Sequence, residues 1–351
     1  MFAAELDTPS VLIDLDIMEA NIRRMQAYCN TLGLKFRPHT KTHKIPAIAR
    51  MQLEAGAVGI ACQKVSEAEV FAQAGFNDIQ IPYNIVGEKK TRRLVDLALY
   101  NRVTVSADHP MVLAGLADAA KAEDMALRVL LDLGTALQRT GAEPHEIVTM
   151  AERIEGDENL HFAGILVYPS DPEARPALQE TLALLDAAGI GVDVVSGGGF
   201  GAARFADQMP ELTELRVGTY VFGDYGSMTK GWCTLDDCAM RIAATVVSRP
   251  TTDRVILDSG SKTLAADAAN GVHGYILEYP EARIYKLSEE HAHCDFSACE
   301  ERPVIGERVH VIPVHTCVVT NLHNQIYGVR GGVWEGEVEV EWPVAARGLV
   351  Y

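Results

Sequence analysis

The segment Arg37-Pro38-His39-Thr40-Lys41-Thr42-His43-Lys44 places five basic side chains within eight residues, directly after a short β-rich run. A lysine attacks an aldehyde only as the neutral amine, and neighbouring positive charge favours that form. Lys41, with Arg37, His39, His43 and Lys44 around it, is therefore expected to form a Schiff base with an aldehyde cofactor. A lone lysine in a solvated loop would support no such expectation.

Two glycine-led segments suggest what else such a cofactor carries. Ser196, Gly197, Gly198 and Gly199 open the run Ser196-Gly197-Gly198-Gly199-Phe200-Gly201, and Gly218, Thr219 and Tyr220 form a second turn. Successive glycines let backbone N–H groups approach and point at an anion, which suits a phosphate. One glycine run alone reads as a flexible turn. Two of them, each following a strand in a chain with a candidate Schiff-base lysine, favour a phosphorylated aldehyde. Neither a Walker pattern nor an opening dinucleotide fingerprint is present.

The third constellation is His315-Thr316-Cys317, after the strand-like run Val309-His310-Val311-Ile312-Pro313-Val314. On an extended chain alternate residues face one side, so the imidazole of His315 and the thiolate of Cys317 are expected to grip one metal and leave positions for water and substrate. Taken alone, such a pair is a weak signal, and incidental burial is its default reading. His291 and His293 are further candidates, or else surface residues of the loop between Ser288 and His293.

Lys41 and the glycine turns need a scaffold that brings strand ends together. β-rich runs recur at Leu34–Arg37, Val58–Ala61, Asp78–Ile81, Arg102–Val105, Leu127–Leu131, Phe162–Val167, Val192–Val195 and Glu214–Val217. Helix-forming stretches separate them, including Ser66–Ala74, Lys89–Leu99, Met111–Glu123, His145–Glu155 and Arg175–Ala188. Eight strands alternating with helices is the count of a closed α/β barrel, a (β/α)8 TIM-type fold whose active site forms at the C-terminal strand ends. Loops after strands seven and eight, where both glycine turns fall, commonly bind phosphate there. A doubly wound open sheet is the alternative.

Past about residue 237 the helical rhythm fades. Met240–Val247, Arg254–Leu257, Arg283–Leu287, Arg308–Val314 and Val333–Val340 read as short strands of an antiparallel β domain. Ser10–Asp14 is also strand-like and is expected to return to that sheet. The implied division is 1–20 for the N-terminal strand, 21–236 for the cofactor-binding barrel and 237–351 for the C-terminal β domain carrying the metal pair.

Composition narrows the partners. The net charge of −17 over 351 residues argues against nucleic acid, which needs clustered Lys and Arg. The first residues lack the basic and apolar runs of a signal peptide, and no stretch is long and apolar enough to span a bilayer, so a cytoplasmic location without membrane contact is expected. Seven scattered cysteines suggest no disulfide framework; the pairs Cys233 and Cys238, and Cys294 and Cys299, lack structural-zinc spacing.

Together, the Arg37–Lys44 segment, Ser196–Gly199, Glu214-Leu215-Arg216-x-Gly218-Thr219-Tyr220, Ser288-Glu289-Glu290-His291 and Pro313-x-His315-x-Cys317 resemble the D-threonine aldolase and D-serine dehydratase family, in family order over nearly the whole chain. The resemblance implies fold type III, the alanine-racemase-like barrel with a β domain, in a homodimer. It implies pyridoxal 5'-phosphate on Lys41 and its phosphate at Ser196–Gly199 and Gly218–Tyr220. It also implies a divalent metal (Mn, Zn or Mg) on His315 and Cys317, and a small D-amino acid as substrate. Arg139, in Arg139-Thr140-Gly141, is expected near the cofactor ring or in a structural ion pair. Tyr168 falls where the family places an active-site tyrosine, although Pro169-Ser170 departs from the glycine-histidine expected after it. Asp258-x-Gly260-x-Lys262 and Asp267 match a further segment, read as structural. The leading implication is retro-aldol cleavage of D-β-hydroxy-α-amino acids to glycine and an aldehyde, and the alternative is dehydration to a 2-oxo acid and ammonia. A racemase, or a protein that holds the cofactor without catalysis, ranks lower.

Overall fold

Strands covered on both faces must be apolar along their length, and Leu127–Leu133 and Leu160–Val167 are almost entirely buried. In the computed structural model, which describes residues 1–333 and 336–351, strand β1 (Ser10–Asp14) and helix α1 (Leu15–Thr31) come first. Eight parallel strands follow: β2 (Lys35–Phe36), β3 (Ile60–Ala61), β4 (Asp78–Asn84), β5 (Arg102–Ala107), β6 (Leu127–Leu133), β7 (Leu160–Val167), β8 (Val194–Gly198) and β9 (Glu214–Arg216). Their order is β2-β9-β8-β7-β6-β5-β4-β3. The Val58 N–H donates to the Phe36 carbonyl, the Ala61 N–H to the Pro38 carbonyl, and a parallel bridge links His39 with Ala61. These contacts join the two ends of the sheet, so it is a barrel and not the open alternative.

The helices between the strands are α2 (Pro46–Glu54), α3 (Val65–Gln73), α4 (Glu88–Ala98), α5 (Pro110–Lys121), α6 (Pro144–Glu155), α7 (Arg175–Ala187) and the short α8 (Phe200–Ala203). Helices α2, α5 and α6 begin on proline, whose missing N–H would be unpaired in a first turn anyway. Glu143 and Glu146 cap α6 reciprocally, and His109 Nδ1 accepts the Met111 N–H at 3.1 Å at the start of α5. Helix α1 was not among the sequence expectations. Its buried face combines Leu15, Met18, Ile22 and Cys29 with Asn21 and Gln26, so polar residues interrupt the apolar stripe.

The chain divides into two compact units. The barrel unit holds Met25–Lys41, Ile48–Gly218 and Leu349–Tyr351, and the β unit holds Met1–Arg24, Thr42–Ala47 and Thr219–Gly348. The main division thus falls at 218/219, where the sequence reading placed it at 236/237.

In the β unit the strands are β10 (Met240–Ser248), β11 (Arg254–Leu257), β12 (Gly274–Ile276), β13 (Arg283–Leu287), β14 (Ala292–Asp295), β15 (Arg308–Pro313), β16 (Gln325–Arg330) and β17 (Glu337–Pro343). Strand β1 lies between β10, antiparallel, and β16, parallel, so the sheet is not purely antiparallel. Strands β12, β14 and β16 were not anticipated; the first two are short, and Gly328 interrupts the third. The expected run Val333–Val340 includes residues 334 and 335, which lie outside the described residues; β17 begins at Glu337. Three short helices complete the unit: α9 (Tyr225–Thr229), α10 (Ser261–Leu264) and α11 (Thr316–Leu322). Among the described residues no helix is long and apolar enough to cross a membrane.

Candidate active site

Strand β2 ends at Phe36, and the chain then turns through a single 3-10 turn, Thr40–Thr42. In the barrel unit Lys41, His39, Gln63, Arg139, Tyr168 and Arg216 line one small cleft. The Lys41 amine lies 3.4 Å from Gln63 Oε1, and His39 Nε2 lies 3.1 Å from the same oxygen. An amide oxygen only accepts, so both nitrogens donate to it, which assigns the His39 proton to Nε2. Arg139 lies over the Tyr168 ring, 4.4 Å from its centroid, a cation–π contact. The Arg139 loop is anchored by Thr140, which donates to Asp132 at 2.8 Å, and by the Gly141 N–H, which donates to Asp108 at 2.9 Å. A larger groove outside the barrel, between α4 and α5, is lined by none of the candidate residues.

The basic run does not gather its charges around Lys41, as the sequence reading expected. Arg37 points into the barrel and pairs with Glu214 at 2.8 Å and Asp78 at 2.6 Å. His43 is buried and accepts the Ile45 N–H at 3.1 Å, while Lys44 donates to the Ala346 carbonyl at 3.2 Å. The chain bends from strand to tight turn here, and successive side chains diverge.

Ser196 also differs from expectation. Its register with Leu166 and Glu214 places it in a layer of the barrel interior. There its hydroxyl donates to Glu214 at 2.6 Å and also contacts Arg216, whose guanidinium bonds the Ser196 carbonyl at 2.7 Å. Gln80 donates to the same Glu214 oxygen at 3.2 Å. Burial pushes Glu214 upward, but Arg37 and the Ser196 hydroxyl outweigh it and hold the carboxyl below its usual range. Burial lowers Arg216 to about 10, with Glu214 and Asp132 opposing. Burial raises Asp132 to about 6 despite the Thr140 hydrogen bond.

The glycines contribute differently from one another. The Gly198 N–H donates to Ser170 Oγ at 3.0 Å and the Gly199 N–H to the Arg216 carbonyl at 3.2 Å. Neither amide points at an anion. A Cβ on Gly198, however, would lie 3.1 Å from Arg216 Nη2 and 3.2 Å from Tyr168 Cδ2, both cleft residues. Gly199 has φ +111°, which favours glycine.

In the β unit, His315 caps α11 in extended conformation and Cys317 sits in the helix's first turn. The expected alternation along one extended strand is therefore not what joins them, yet the two side chains do hydrogen-bond. That bond raises the imidazole to about 9, against the effect of burial. His315 Nδ1 lies 3.3 Å from Asp267 Oδ1, and Asp224 Oδ2 accepts the Thr316 N–H at 3.4 Å. The Thr42 hydroxyl is 3.2 Å from Cys317 Sγ and that of Thr219 is 3.8 Å from it. His291 is exposed, and His293, on β14, has its Nε2 3.0 Å from the Ser288 hydroxyl. Among the described residues no group of three or more His, Cys, Asp or Glu side chains is arranged to hold a metal.

Residues 13–226 match the family model described as the alanine racemase N-terminal domain, and residues 239–329 match the putative serine dehydratase domain. The chain is 33% identical to the D-threonine aldolase of Arthrobacter sp., over 99% of this chain and 94% of that protein. This chain belongs to the alanine-racemase-like, fold type III family of pyridoxal-phosphate enzymes. Among solved structures, the D-threonine aldolase of Filomicrobium marinum is similar at 31% identity and a TM-score of 0.90, covering 99% of this chain and 98% of that one. The D-threo-3-hydroxyaspartate dehydratase of Delftia sp. HT23 is similar at 25% identity and a TM-score of 0.87, covering 97% and 98%. A variant of the same dehydratase with one cysteine replaced by alanine is described as a metal-free form. The protein is a pyridoxal-phosphate lyase of the fold type III family.

The cleft also holds residues that the sequence reading passed over. Gln63 lies two residues beyond β3, at the strand-end position where barrel sites form, and that position alone would have marked it. Arg216 lay inside a quoted motif, but its place at the cleft follows only from the register of β8 and β9. The cleft suits the cofactor, since Gly198 leaves the space beside Arg216 and Tyr168 that a Cβ would fill. The hydrogen-bonded pair of His315 and Cys317 supplies two donors of types that take a divalent metal, and among the described residues no third His, Cys, Asp or Glu is arranged with them to hold one.

Proposed function

We propose that this protein cleaves D-β-hydroxy-α-amino acids in the retro-aldol sense, to glycine and an aldehyde, with pyridoxal 5'-phosphate on Lys41 and a divalent metal on His315 and Cys317. The observation that supports it most is the Lys41 amine, held by Gln63 in a cleft with His39, Arg139, Tyr168 and Arg216. Similarity to D-threonine aldolase over nearly the whole chain supports the reaction type. When bound, the cofactor supplies an electron sink for charge left at the substrate Cα. A metal would supply a Lewis acid for the β-oxygen.

The chain's own groups divide the remaining work. Lys41 donates the amine that carries the cofactor, and Gln63 sets its direction. Arg216 presents a buried cation on the cleft wall, and Arg139 braces Tyr168. Ser196 supports Arg216 from below. Gly197, Gly198 and Gly199 shape the phosphate seat by lacking side chains, and Gly218, Thr219 and Tyr220 supply its second turn. Similarity to D-threonine aldolase supports a small D-amino acid as substrate, and we propose that the enzyme works as a homodimer in the cytoplasm.

A second reading, β-elimination to a 2-oxo acid and ammonia, is favoured by the His-x-Cys pair and by the metal-free cysteine variant of the Delftia dehydratase. Ser170 stands where a histidine was expected, and its buried hydroxyl bonds Gly198. Incubation with D-threonine and D-serine, with and without chelator, separates the readings. Glycine with acetaldehyde is the expected product pair; 2-oxobutanoate or pyruvate with ammonia would replace it with the second reading. Lys41→Ala is expected to abolish the Schiff-base absorbance, and a band that survives would overturn the lysine assignment.

A further inference from the structure

We infer that Thr42, the residue after Lys41, is a positioning residue for the metal pair, donating its hydroxyl to the Cys317 sulfur. The inference rests on the metal reading above. Thr42 is fully buried, and its Oγ1 lies 3.2 Å from Cys317 Sγ. Thr219 Oγ1 reaches the same sulfur at 3.8 Å, the longer and weaker of the two contacts. A buried hydroxyl is costly without a partner, and the Cys317 sulfur is the partner within reach of this one.

Without a metal either atom can donate. A cysteine that ligates a metal has lost its proton, and a thiolate can only accept. Metal binding therefore fixes the direction as O–H to sulfur. Such a donor orients the sulfur lone pairs and withdraws charge from the thiolate. Loss of outer-shell partners of this kind weakens metal binding about 10–100-fold. Valine has nearly the shape of threonine but no hydroxyl, whereas serine keeps the hydroxyl and loses only a methyl.

The test is titration of chelator-treated, pyridoxal-phosphate-loaded protein with Co2+, reading both the dissociation constant and the thiolate-to-cobalt charge-transfer band. Thr42→Val is expected to weaken Co2+ about 10–100-fold and to shift that band. Thr42→Ser is expected to stay within a few-fold of the parent. Thr181→Val, which removes a buried hydroxyl bonded to the Ala177 carbonyl in α7, is expected to change neither. If the parent shows no charge-transfer band, the metal assignment falls and this inference with it. If the parent shows it and Thr42→Val matches the parent, the inference alone falls. It falls also if serine behaves like valine, since the hydroxyl would then not be the active feature.

Discussion

Each compact unit buries an acid against a base, but the bases differ in kind. Inside the barrel Glu214 meets Arg37 and joins a network through Ser196, Gln80 and Arg216. In the β unit Glu278 meets His310, taking its ring Nδ1 at 2.8 Å and its backbone N–H at 2.9 Å. A guanidinium cannot shed its proton in a protein, whereas an imidazole can be neutral near pH 7. The barrel therefore has to satisfy permanent charges, and needs several partners to do so. The Glu278 pair in the β unit stands instead on an imidazole, which carries no permanent charge. The difference indicates where a fixed cation is wanted: Arg216, beside the cleft, cannot be present without the acid that keeps it company.

The largest test of this contrast is Glu214→Ala. Removing one partner from a buried ion pair typically costs about 3–5 kcal/mol, and here two arginines lose support. Urea unfolding should show a loss of that size, and a loss under about 1 kcal/mol would break the contrast.

Asp132 sharpens it from the acid side, because burial dominates its raised pKa of about 6 and the nearby arginines offset it only in part. The folded state then holds the proton more tightly than the unfolded chain does. Stability should be greatest below the ordinary carboxylate range and fall as pH rises through roughly 4 to 6. Asp132→Asn should remove that slope and exceed the parent at pH 8 by on the order of 3 kcal/mol at most. Thermal melts showing equal gains at pH 4.5 and pH 8 would contradict the assignment.

The smallest expected effect is Glu278→Ala, about 1–2 kcal/mol, because mainly the hydrogen bonds to His310 are lost. A loss equal to that of Glu214→Ala would show that the kind of base does not matter.

Much of the barrel was legible because its strands are continuous apolar runs bounded by turns, and Lys41 was legible because it follows one of them. What escaped depended on three-dimensional register. Arg37 looks like a neighbour of Lys41 in sequence, yet strand pleating turns it inward to Glu214. Cys317 looked like the second position of an extended pair, yet the chain enters α11 between it and His315. Gln63 carries no local pattern, and its meaning arises from the strands beside it. Helix α1 hid behind buried Asn21, whose amide donates to the Asp237 carbonyl at 2.8 Å.

A 3-10 helix advances three residues per turn, so successive side chains leave it about 120° apart. The turn Thr40–Thr42 uses all three bearings: Thr40 reaches Glu67 at 2.7 Å, Lys41 reaches Gln63, and Thr42 reaches Cys317. Its length is consequently more constrained than its composition. A single inserted residue would rotate every bearing by a third of a circle, sending the amine where a buried hydroxyl belongs.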